Sequence, residues 1–241
     1  MTDLTESRRE LAAALRWAVR FDLHEGIDNH FSLAVSPSGD RFLVNPYGSH
    51  WSELRASDLL LVGSDGAVLE GELPLDETAF HIHGPMHRAV PQARCILHTH
   101  MPYATALTSV EGGEIEPINQ SALRFHGRVA YDETYNGLVL DRQEGERLCR
   151  VLGNRSVLFL ANHGVVVVGA TVAEAFDALY FLERVCRNQV LAMATGLPLK
   201  RVPEAVVEKT AAQMAYAPEA AATHFAALRR ILERESPDYL Q

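Results

Sequence analysis

Cysteine is scarce in this chain of 241 residues, which contains only Cys95, Cys149 and Cys186. An odd number of widely spaced cysteines does not make a disulfide framework, and such frameworks belong to secreted proteins. The sequence therefore predicts a protein of a reducing compartment, the cytoplasm, with its thiols in the core.

Positive charge and long apolar runs are also lacking. Lys and Arg number 22 against 31 Asp and Glu, a formal net charge of −9, which disfavours nucleic acid and anionic membranes as partners. The longest apolar run, residues 164–170, has four valines, whereas a helix needs about 20 apolar residues to span a bilayer. Residues 1–10 are polar, without the apolar segment of a signal peptide. We expect a soluble protein with a small-molecule substrate.

Several nucleotide-binding and hydrolase motifs are absent. The sequence has no G-x-G-x-x-G, no phosphate-binding P-loop and no G-x-S-x-G, so dinucleotide, nucleoside triphosphate and serine hydrolase chemistry has no motif to support it. The hydrophobic fraction of 47% is enough to build a core and argues against disorder. The length suits a single domain over residues 1–241.

Apolar periodicity and turn residues predict a mixed order of helices and strands. Predicted strands cover residues 31–35, 41–44, 59–62, 67–69, 95–98, 157–160 and 165–168. Predicted helices cover residues 6–24, 77–90, 142–152 and 173–195, and the first of them is closed by Gly26. Two more helices are predicted in residues 203–240, with a break near Ala217-Pro218. This order indicates an α/β domain with a mainly antiparallel central sheet. Residues 203–241 are predicted to form a C-terminal helical extension on its outside.

The pair His98 and His100 at the end of a predicted strand is the sharpest chemical feature. Residues i and i+2 of a strand point to the same face, so two imidazoles can converge on one cation. His163, beside Gly164, is the best candidate for a third ligand because glycine allows close backbone approach. Three neutral imidazoles with open positions are typical of a catalytic metal site. The alternative is a partly exposed polar pair with an unrelated histidine.

Glu77 lies in the first turn of a predicted helix for which Asp76 is the N-cap. A carboxylate there is stabilised by the helix dipole, and capping is the simplest role for it. Next to a metal it could instead act as a general acid–base. His81, one turn later, shares its face.

Other histidines are more ambiguous. His30 follows Asp28 and Asn29, where the sequence is equally consistent with a structural Asx turn and with a substrate-facing loop. His83 and His87 lie one helical turn apart, a pairing that is usually found on a helix surface.

Taken together, these residues resemble the class II aldolase/adducin family. The resemblance covers about residues 11–196 and is carried by segments 77–81 and 91–106, by Asn162-His163-Gly164, and by the turn from Asn45 to Gly48. It implies an α/β/α sandwich in three layers, around a mainly antiparallel sheet. It also implies that His98, His100 and His163 bind one divalent ion, Zn²⁺ foremost with Mn²⁺ or Fe²⁺ as alternatives. Glu77 would be the acid–base residue, in a homotetramer with active sites between subunits.

The departures from the family pattern concern phosphate and a tyrosine. Sugar-phosphate members hold phosphate with residues that here read Asn29-His30, Tyr47-Gly48 and Leu75-Asp76. Because Asp76 repels a dianion, these positions and His81 are expected to contact a substrate without phosphate. A catalytic tyrosine of the fuculose-phosphate aldolases has no counterpart in residues 117–121. Tyr131 is the candidate substitute, with Tyr135 as the alternative.

These features predict a metal-dependent carbon–carbon lyase. Aldol cleavage and decarboxylation of a small hydroxy, oxo or aromatic carboxylic acid both pass through a metal-stabilised enolate or carbanion, so the ligands do not separate them. Two alternatives stay open: a non-catalytic adducin-like binding module, and an iron-dependent oxygenase on the same scaffold.

Overall fold

The first helix shows how local sequence sets an element boundary. The computed structural model describes residues 4–214 and 219–241, and the predicted break at Ala217-Pro218 lies outside them. Helix α1 spans Leu4–Arg20 and ends earlier than residue 24. Asp22 has a φ of 56°, and Leu23 N–H donates to Ala18 O while Asp22 N–H donates to Val19 O. This Schellman arrangement ends the helix, so the prediction that Gly26 closes it was wrong.

An eight-stranded sheet forms the centre of the molecule, in the order β4-β3-β2-β1-β5-β8-β7-β6. Neighbouring strands run antiparallel except β6 and β7, which are parallel. The strands are β1 (His30–Ala34), β2 (Arg41–Val44), β3 (Leu60–Gly63), β4 (Val68–Glu70), β5 (Cys95–Thr99), β6 (Val129–Asp132), β7 (Val157–Leu160) and β8 (Gly164–Gly169). Strand β6 was not predicted, because its sequence Val-Ala-Tyr-Asp contains no run of large apolar residues and three of its four residues are only partly buried.

The remaining helices are α2 (Glu77–Ala89), α3 (Pro102–Thr108), α4 (Arg142–Leu152), α5 (Val172–Met193), α6 (Glu204–Met214) and α7 (Ala220–Glu235). Short 3₁₀ helices cover Ala56–Asp58, Gln120–Phe125 and Pro237–Leu240. Helix α3 and the 3₁₀ helix at Gln120–Phe125 were not predicted; α3 has only 7 residues, fewer than two full turns of apolar periodicity.

Three hydrophobic clusters, one on one face of the sheet and two on the other, hold the layers together. On one face, residues such as Leu15, Leu97 and Phe176 are fully buried among α1, α3, α5 and α7. On the other face, α2 and α4 pack against side chains that include Ile96 and Val166. Alternate residues along a strand therefore pack into hydrophobic clusters on opposite faces of the sheet. The predicted α/β/α sandwich with a mainly antiparallel sheet is confirmed.

The carboxy-terminal helix joins the first of these cores. Phe225, Leu228 and Leu232 of α7 are buried, and Trp17 Nε1 donates to Leu228 O at 3.0 Å. The assignment of residues 203–241 to an extension of one domain stays a prediction. All three cysteines are buried free thiols, as predicted. Among the described helices, none is both long and apolar enough to cross a membrane.

Candidate metal centre

Two neighbouring strands bring the three predicted ligands together. In the antiparallel pair of β5 and β8, His98 lies opposite Val166 and Thr99 opposite Val165. His163 therefore sits in the turn that enters β8, beside the end of β5 where His100 follows. In this turn Asn162 has a φ of 56°, and His163 N–H donates to Leu160 O at 3.1 Å. A left-handed Asn is a common solution for such a tight turn.

Gly164 allows the turn to approach β5 closely. A Cβ atom at this position would lie 2.6 Å from Thr99 O and 2.8 Å from His100 Cδ2. Both distances are far below van der Waals contact, so a side chain would push the two strands apart. The predicted close approach at this glycine is confirmed, and it brings the His163 loop against His100.

The three imidazoles converge with a geometry suited to one ion. The Nε2 atoms of His98 and His100 lie 3.2 Å apart, and the ring centroid of His163 is 4.8 Å from each of theirs. One nitrogen from each ring falls within 4.8 Å of the others. Two nitrogens bound to a tetrahedral zinc through bonds of about 2.0–2.1 Å stand about 3.3–3.4 Å apart. The distance of 3.2 Å between the Nε2 atoms of His98 and His100 is close to that value.

Hydrogen bonds at the far side of two rings decide which nitrogens face inward as acceptors. His98 Nδ1 donates to Val165 O at 3.0 Å, which leaves Nε2 of the neutral ring with a lone pair. His100 Nδ1 lies 2.6 Å from Glu25 Oε2 and donates to that carboxylate. Two lone pairs facing each other at close range repel, and a cation between them removes the repulsion. The donor set therefore fits a divalent transition metal.

The ionisation behaviour of the rings favours the same chemistry. Burial, followed by the nearby imidazoles, holds the pKa of His98 well below its usual value. Burial, and then the proximity of His100, lowers the pKa of His163 to about 4. A ligating imidazole must be neutral, so both rings are in the binding-competent state at neutral pH.

The amino terminus of α2 lies beside this centre. Asp76 caps the helix as predicted, since its Oδ1 accepts from Thr78 N at 2.7 Å and from Ala79 N at 3.2 Å. The side chain of Glu77 is 72% exposed, and its Oε1 lies 3.9 Å from Nε2 of His81, one turn on. Thr78 Oγ1 is 3.4 Å from His30 Nε2, and the His30 ring centroid is 4.7 Å from that of His98.

The structure corrects the interpretation of three histidines. His30 is the first residue of β1 and is 2% exposed, so it lies in neither a turn nor a loop. His83 and His87 were expected on a helix surface, but they are 0% and 5% exposed. They face β1 from α2, where His83 Nε2 lies 2.8 Å from His30 Nδ1. Sequence reasoning missed them because one helical turn of spacing does not tell which face of a helix is buried.

The loop before β1 contributes a buried amide to the centre. Asn29 Oδ1 accepts from Glu25 N at 2.7 Å and from His100 N at 3.4 Å. Its Nδ2 is buried and has no hydrogen-bond partner among the described residues. Buried donors are rarely left unpaired, so this amide is a candidate donor to a bound molecule. Glu25 was also missed by the sequence analysis; its spacing from His100 gives no signal.

The turn after β2 is tied to the segment before α2. Tyr47 N–H donates to Pro74 O at 2.8 Å, and the Tyr47 side chain is exposed. Gly48 has a φ of 85°, a conformation that favours glycine. Asn45 closes the loop from the other side, because its Oδ1 accepts from Phe31 N and its Nδ2 donates to Asn29 O.

Comparison with known proteins identifies the family of this chain. Residues 9–190 match the class II aldolase and adducin N-terminal domain. The chain belongs to this family. Alpha-adducin of Rattus norvegicus is 35% identical over 78% of this chain, which spans only 26% of alpha-adducin. The decarboxylase NovR of Streptomyces niveus is 31% identical, over 84% of this chain and 75% of NovR.

Solved structures of the class II aldolase family support the same assignment. An aldolase II superfamily protein from Pseudomonas syringae superposes with a TM-score of 0.93 at 34% identity, covering 100% of this chain and 97% of the other. The L-fuculose 1-phosphate aldolase of Glaciozyma antarctica superposes with a TM-score of 0.85 at 23% identity, covering 98% and 94% of the two chains. The latter likeness concerns the fold.

Two tyrosines can be compared with the position expected for a catalytic one in the class II aldolase family. Tyr131 lies in β6 opposite Phe159 and packs into the core on the sheet face away from His98. Its hydroxyl accepts from Ile115 N at 2.9 Å. The structure therefore does not bring Tyr131 to the three histidines, a correction that follows from strand parity. Tyr135 is exposed, and its ring centroid lies 6.3 Å from that of His163.

Proposed function

We propose that this member of the class II aldolase and adducin family is a divalent-metal-dependent carbon–carbon lyase. The substrate is a small, non-phosphorylated hydroxy, oxo or aromatic carboxylic acid. The observation that carries the proposal is the convergence of His98, His100 and His163, with the Nε2 lone pairs of the first two 3.2 Å apart. A binding module needs no such arrangement of neutral imidazoles.

Each residue around the centre has a role in this proposal. His98, His100 and His163 would hold Zn²⁺, with Mn²⁺ or Fe²⁺ as alternatives. When bound, the ion supplies a Lewis acid that stabilises the negative charge left on the substrate as the carbon–carbon bond breaks. Glu77, largely exposed at the start of α2, moves a proton at the reacting carbon. Asn29 Nδ2, a buried donor without a partner in the described residues, donates to a substrate oxygen.

The amino terminus of α2 supports a substrate without phosphate. Helix amino termini bind phosphate through free backbone N–H groups. Here Asp76 accepts from Thr78 N, Ala79 N and Thr78 Oγ1, so an internal carboxylate already takes these donors. A phosphate dianion at this place would meet a like charge, and the N–H groups of Thr78 and Ala79 would not be free to bind it. We therefore assign Tyr47, Gly48, His30 and His81 to the surroundings of a carboxylic acid.

Aldol cleavage and decarboxylation both remain within the proposal. They require the same stabilisation of charge at carbon, so the three ligands serve either reaction. Similarity to the decarboxylase NovR gives decarboxylation a specific basis. A screen of hydroxy acids and carboxylated aromatics for release of carbon dioxide or aldehyde distinguishes the two reactions.

Metal analysis combined with one substitution tests the proposal. The purified protein should contain about one equivalent of a divalent transition metal, and His98→Ala should remove both this metal and turnover. His126→Ala, which replaces a histidine away from the centre, is the matched control and should retain both. Full turnover by a metal-free preparation of the wild-type protein would contradict the proposal.

A non-catalytic binding module is the second candidate, because alpha-adducin is 35% identical to this chain. It predicts a purified protein without stoichiometric metal and without turnover in the same screen. An iron-dependent oxygenase would use the same three histidines. It would consume dioxygen, so an anaerobic assay separates it from a lyase, whose rate is unchanged without oxygen.

We further propose a cytoplasmic homotetramer with active sites between subunits. Support comes from apolar side chains close to Tyr135 in sequence, since Leu138 and Leu140 are 68% and 50% exposed. Large exposed apolar residues next to a functional site are typical of an interface. Light scattering coupled to size-exclusion chromatography should give about four times the mass of 26.6 kDa. A monomer would contradict this assembly.

A further inference from the structure

A chain of hydrogen bonds runs from the metal centre into the layer between β1 and α2. His30 Nδ1 lies 2.8 Å from His83 Nε2, and His83 Nδ1 lies 2.5 Å from Ser32 Oγ. Ser32 Oγ in turn lies 2.7 Å from His87 Nε2. His87 Nδ1 ends the chain 2.8 Å from Ala93 O. We call these residues, His30, His83, Ser32 and His87, the histidine relay.

The direction of every bond in the histidine relay follows from its last member. A carbonyl oxygen only accepts, so His87 Nδ1 carries a proton and Nε2 of the neutral ring must accept. Ser32 has one hydroxyl proton, which it donates to His87. Ser32 Oγ therefore accepts from His83 Nδ1, and His83 Nε2 accepts from His30 Nδ1.

Neutral rings are required for this direction, and burial supplies them. His83 and His87 are 0% and 5% exposed, and burial lowers the pKa of His87 to about 3. The relay itself contains no carboxylate that would stabilise an imidazolium. A reversed relay would need a charged His87, because Ala93 O would still require a proton on Nδ1.

The direction of the histidine relay determines the protonation of Nε2 of His30, the nitrogen that faces α2. With the proton of the neutral ring on Nδ1, Nε2 is an acceptor. Thr78 Oγ1 lies 3.4 Å from it, but the Thr78 hydroxyl donates to Asp76 Oδ1 at 2.6 Å. Since a hydroxyl has one proton, Thr78 does not satisfy Nε2. The result is a buried acceptor beside His98, with a ring-to-ring distance of 4.7 Å, to which no side chain of the described residues donates.

We propose that Ser32, His83 and His87 are positioning residues that fix the tautomer of His30, so that its Nε2 accepts a hydrogen bond from a hydroxyl group of the substrate. The identity of the bound acid rests on the proposed function, whereas the tautomer of His30 does not depend on that function. An acceptor at His30 Nε2 favours the binding of hydroxy acids over acids without a hydroxyl group. The acceptor is fixed before binding, because the direction of the histidine relay is set by a backbone carbonyl.

Nitrogen NMR of the Zn²⁺-loaded protein, labelled with ¹⁵N-histidine, tests the tautomer without any substrate. A His30→Asn variant assigns the His30 resonances by their loss. The wild-type protein should have a protonated Nδ1 and an unprotonated Nε2 in His30. A protonated Nε2 in the wild-type protein would overturn the proposal, whether or not the protein is a lyase.

Cutting the histidine relay tests whether it sets the tautomer. Ser32→Ala removes the hydroxyl and should give His30 a mixture of both tautomers, while Ser32→Thr keeps the hydroxyl and should give the wild-type spectrum. An unchanged His30 tautomer in folded Ser32→Ala would overturn the role of the relay. If Ser32→Ala does not fold, the wild-type spectrum still decides the tautomer.

Calorimetry with two simple acids tests the substrate hydroxyl. Zn²⁺-loaded wild-type protein should bind lactate more tightly than propionate, and Ser32→Ala should reduce this preference by roughly twofold, because about half of the protein then holds the other tautomer of His30. The comparison between variants separates the effect of His30 from direct contacts of the hydroxyl with the metal. An equal preference in both proteins would overturn this part of the proposal, and turnover is not needed for the measurement.

Discussion

His100 Nδ1 and Glu25 Oε2 lie 2.6 Å apart, which makes Glu25 the partner that orients a candidate metal ligand. The carboxylate holds the proton of His100 on Nδ1 and directs Nε2 toward His98. Glu25 Oε2 itself lies on an exposed side chain, so its effect is partly screened by solvent. The contact links the loop before β1 to the residue that follows β5.

Replacing Glu25 should weaken the metal site without removing it. We expect Glu25→Gln to lower the affinity for Zn²⁺ by roughly tenfold, at the lower end of what the loss of such a partner costs, because the contact is exposed. Competition with a chromogenic chelator measures this change. Asp28→Asn removes the same charge from the same loop and should have little effect; an equal loss in both variants would contradict the role of the Glu25 contact.

Gly164→Ala should damage the centre through backbone displacement. The added Cβ would stand 2.6 Å from Thr99 O and 2.8 Å from His100 Cδ2, so β5 and the His163 turn must separate. We expect a loss of Zn²⁺ affinity of more than tenfold together with a lower melting temperature. Gly84→Ala is the matched control, since its Cβ would meet no atom closer than 3.4 Å. Unchanged metal binding in Gly164→Ala would show that the close approach is not required.

The metal-free protein should lose stability as the pH falls from about 6.5 toward 4. Burial lowers the pKa of six histidines in the folded state. The pKa falls to about 4 in His30 and His163 and to about 3 in His87. It also lies below its usual value in His24, His83 and His98. The unfolded chain takes up protons near pH 6.5 while the folded chain does not, so protonation favours unfolding in this window. Stability is therefore fully present above pH 6.5.

Urea unfolding of the chelator-treated protein at pH 7.5 and 5.5 measures this loss. Each strongly shifted histidine should lower the free energy of unfolding by roughly 1 kcal/mol at pH 5.5 relative to pH 7.5. A variant with one fewer buried imidazole, His87→Gln, should show a smaller difference between the two pH values. Equal free energies of unfolding at both pH values in the wild-type protein would contradict the burial of neutral histidines.

The two tyrosines should respond differently to loss of the hydroxyl. Tyr131→Phe leaves Ile115 N–H without its acceptor and should cost about 1–2 kcal/mol of stability, with turnover unchanged. Tyr135→Phe should leave stability unchanged and lower kcat, because Tyr135 is exposed beside His163. Steady-state kinetics and urea unfolding of both variants decide the matter. A kcat that falls only in Tyr131→Phe would restore Tyr131 as the catalytic tyrosine.

Secondary structure was predictable where several residues repeat one pattern. The bounds of β2, β7 and α4 are those expected from alternation, helical periodicity and turn residues. Asp76 as an N-cap was also predictable, because its chemistry involves only neighbouring residues. The end of α1 and the existence of β6 were not, since a left-handed Asp22 and a partly buried strand at the edge of the sheet leave little trace in local sequence.

The candidate ligands could be named from the sequence because strand geometry places His98 and His100 on one face and the family motif supplies His163. Glu25, Ser32, His83 and His87 could not, because each acts through contacts with residues distant along the chain. Tyr131 was misplaced for the same reason. The register of β6 against β7 determines the face of the sheet on which the Tyr131 side chain lies.

By itself, the sequence determined the residue types and local spacings that define the family, the α/β/α architecture and the identity of three candidate ligands. Only the tertiary structure decided which nitrogen of His98 and of His100 faces the centre, because that choice depends on hydrogen bonds to Val165 O and Glu25. These partners come from other strands and loops. Proton positions on an imidazole are set by its neighbours in space, and the sequence does not specify those neighbours locally.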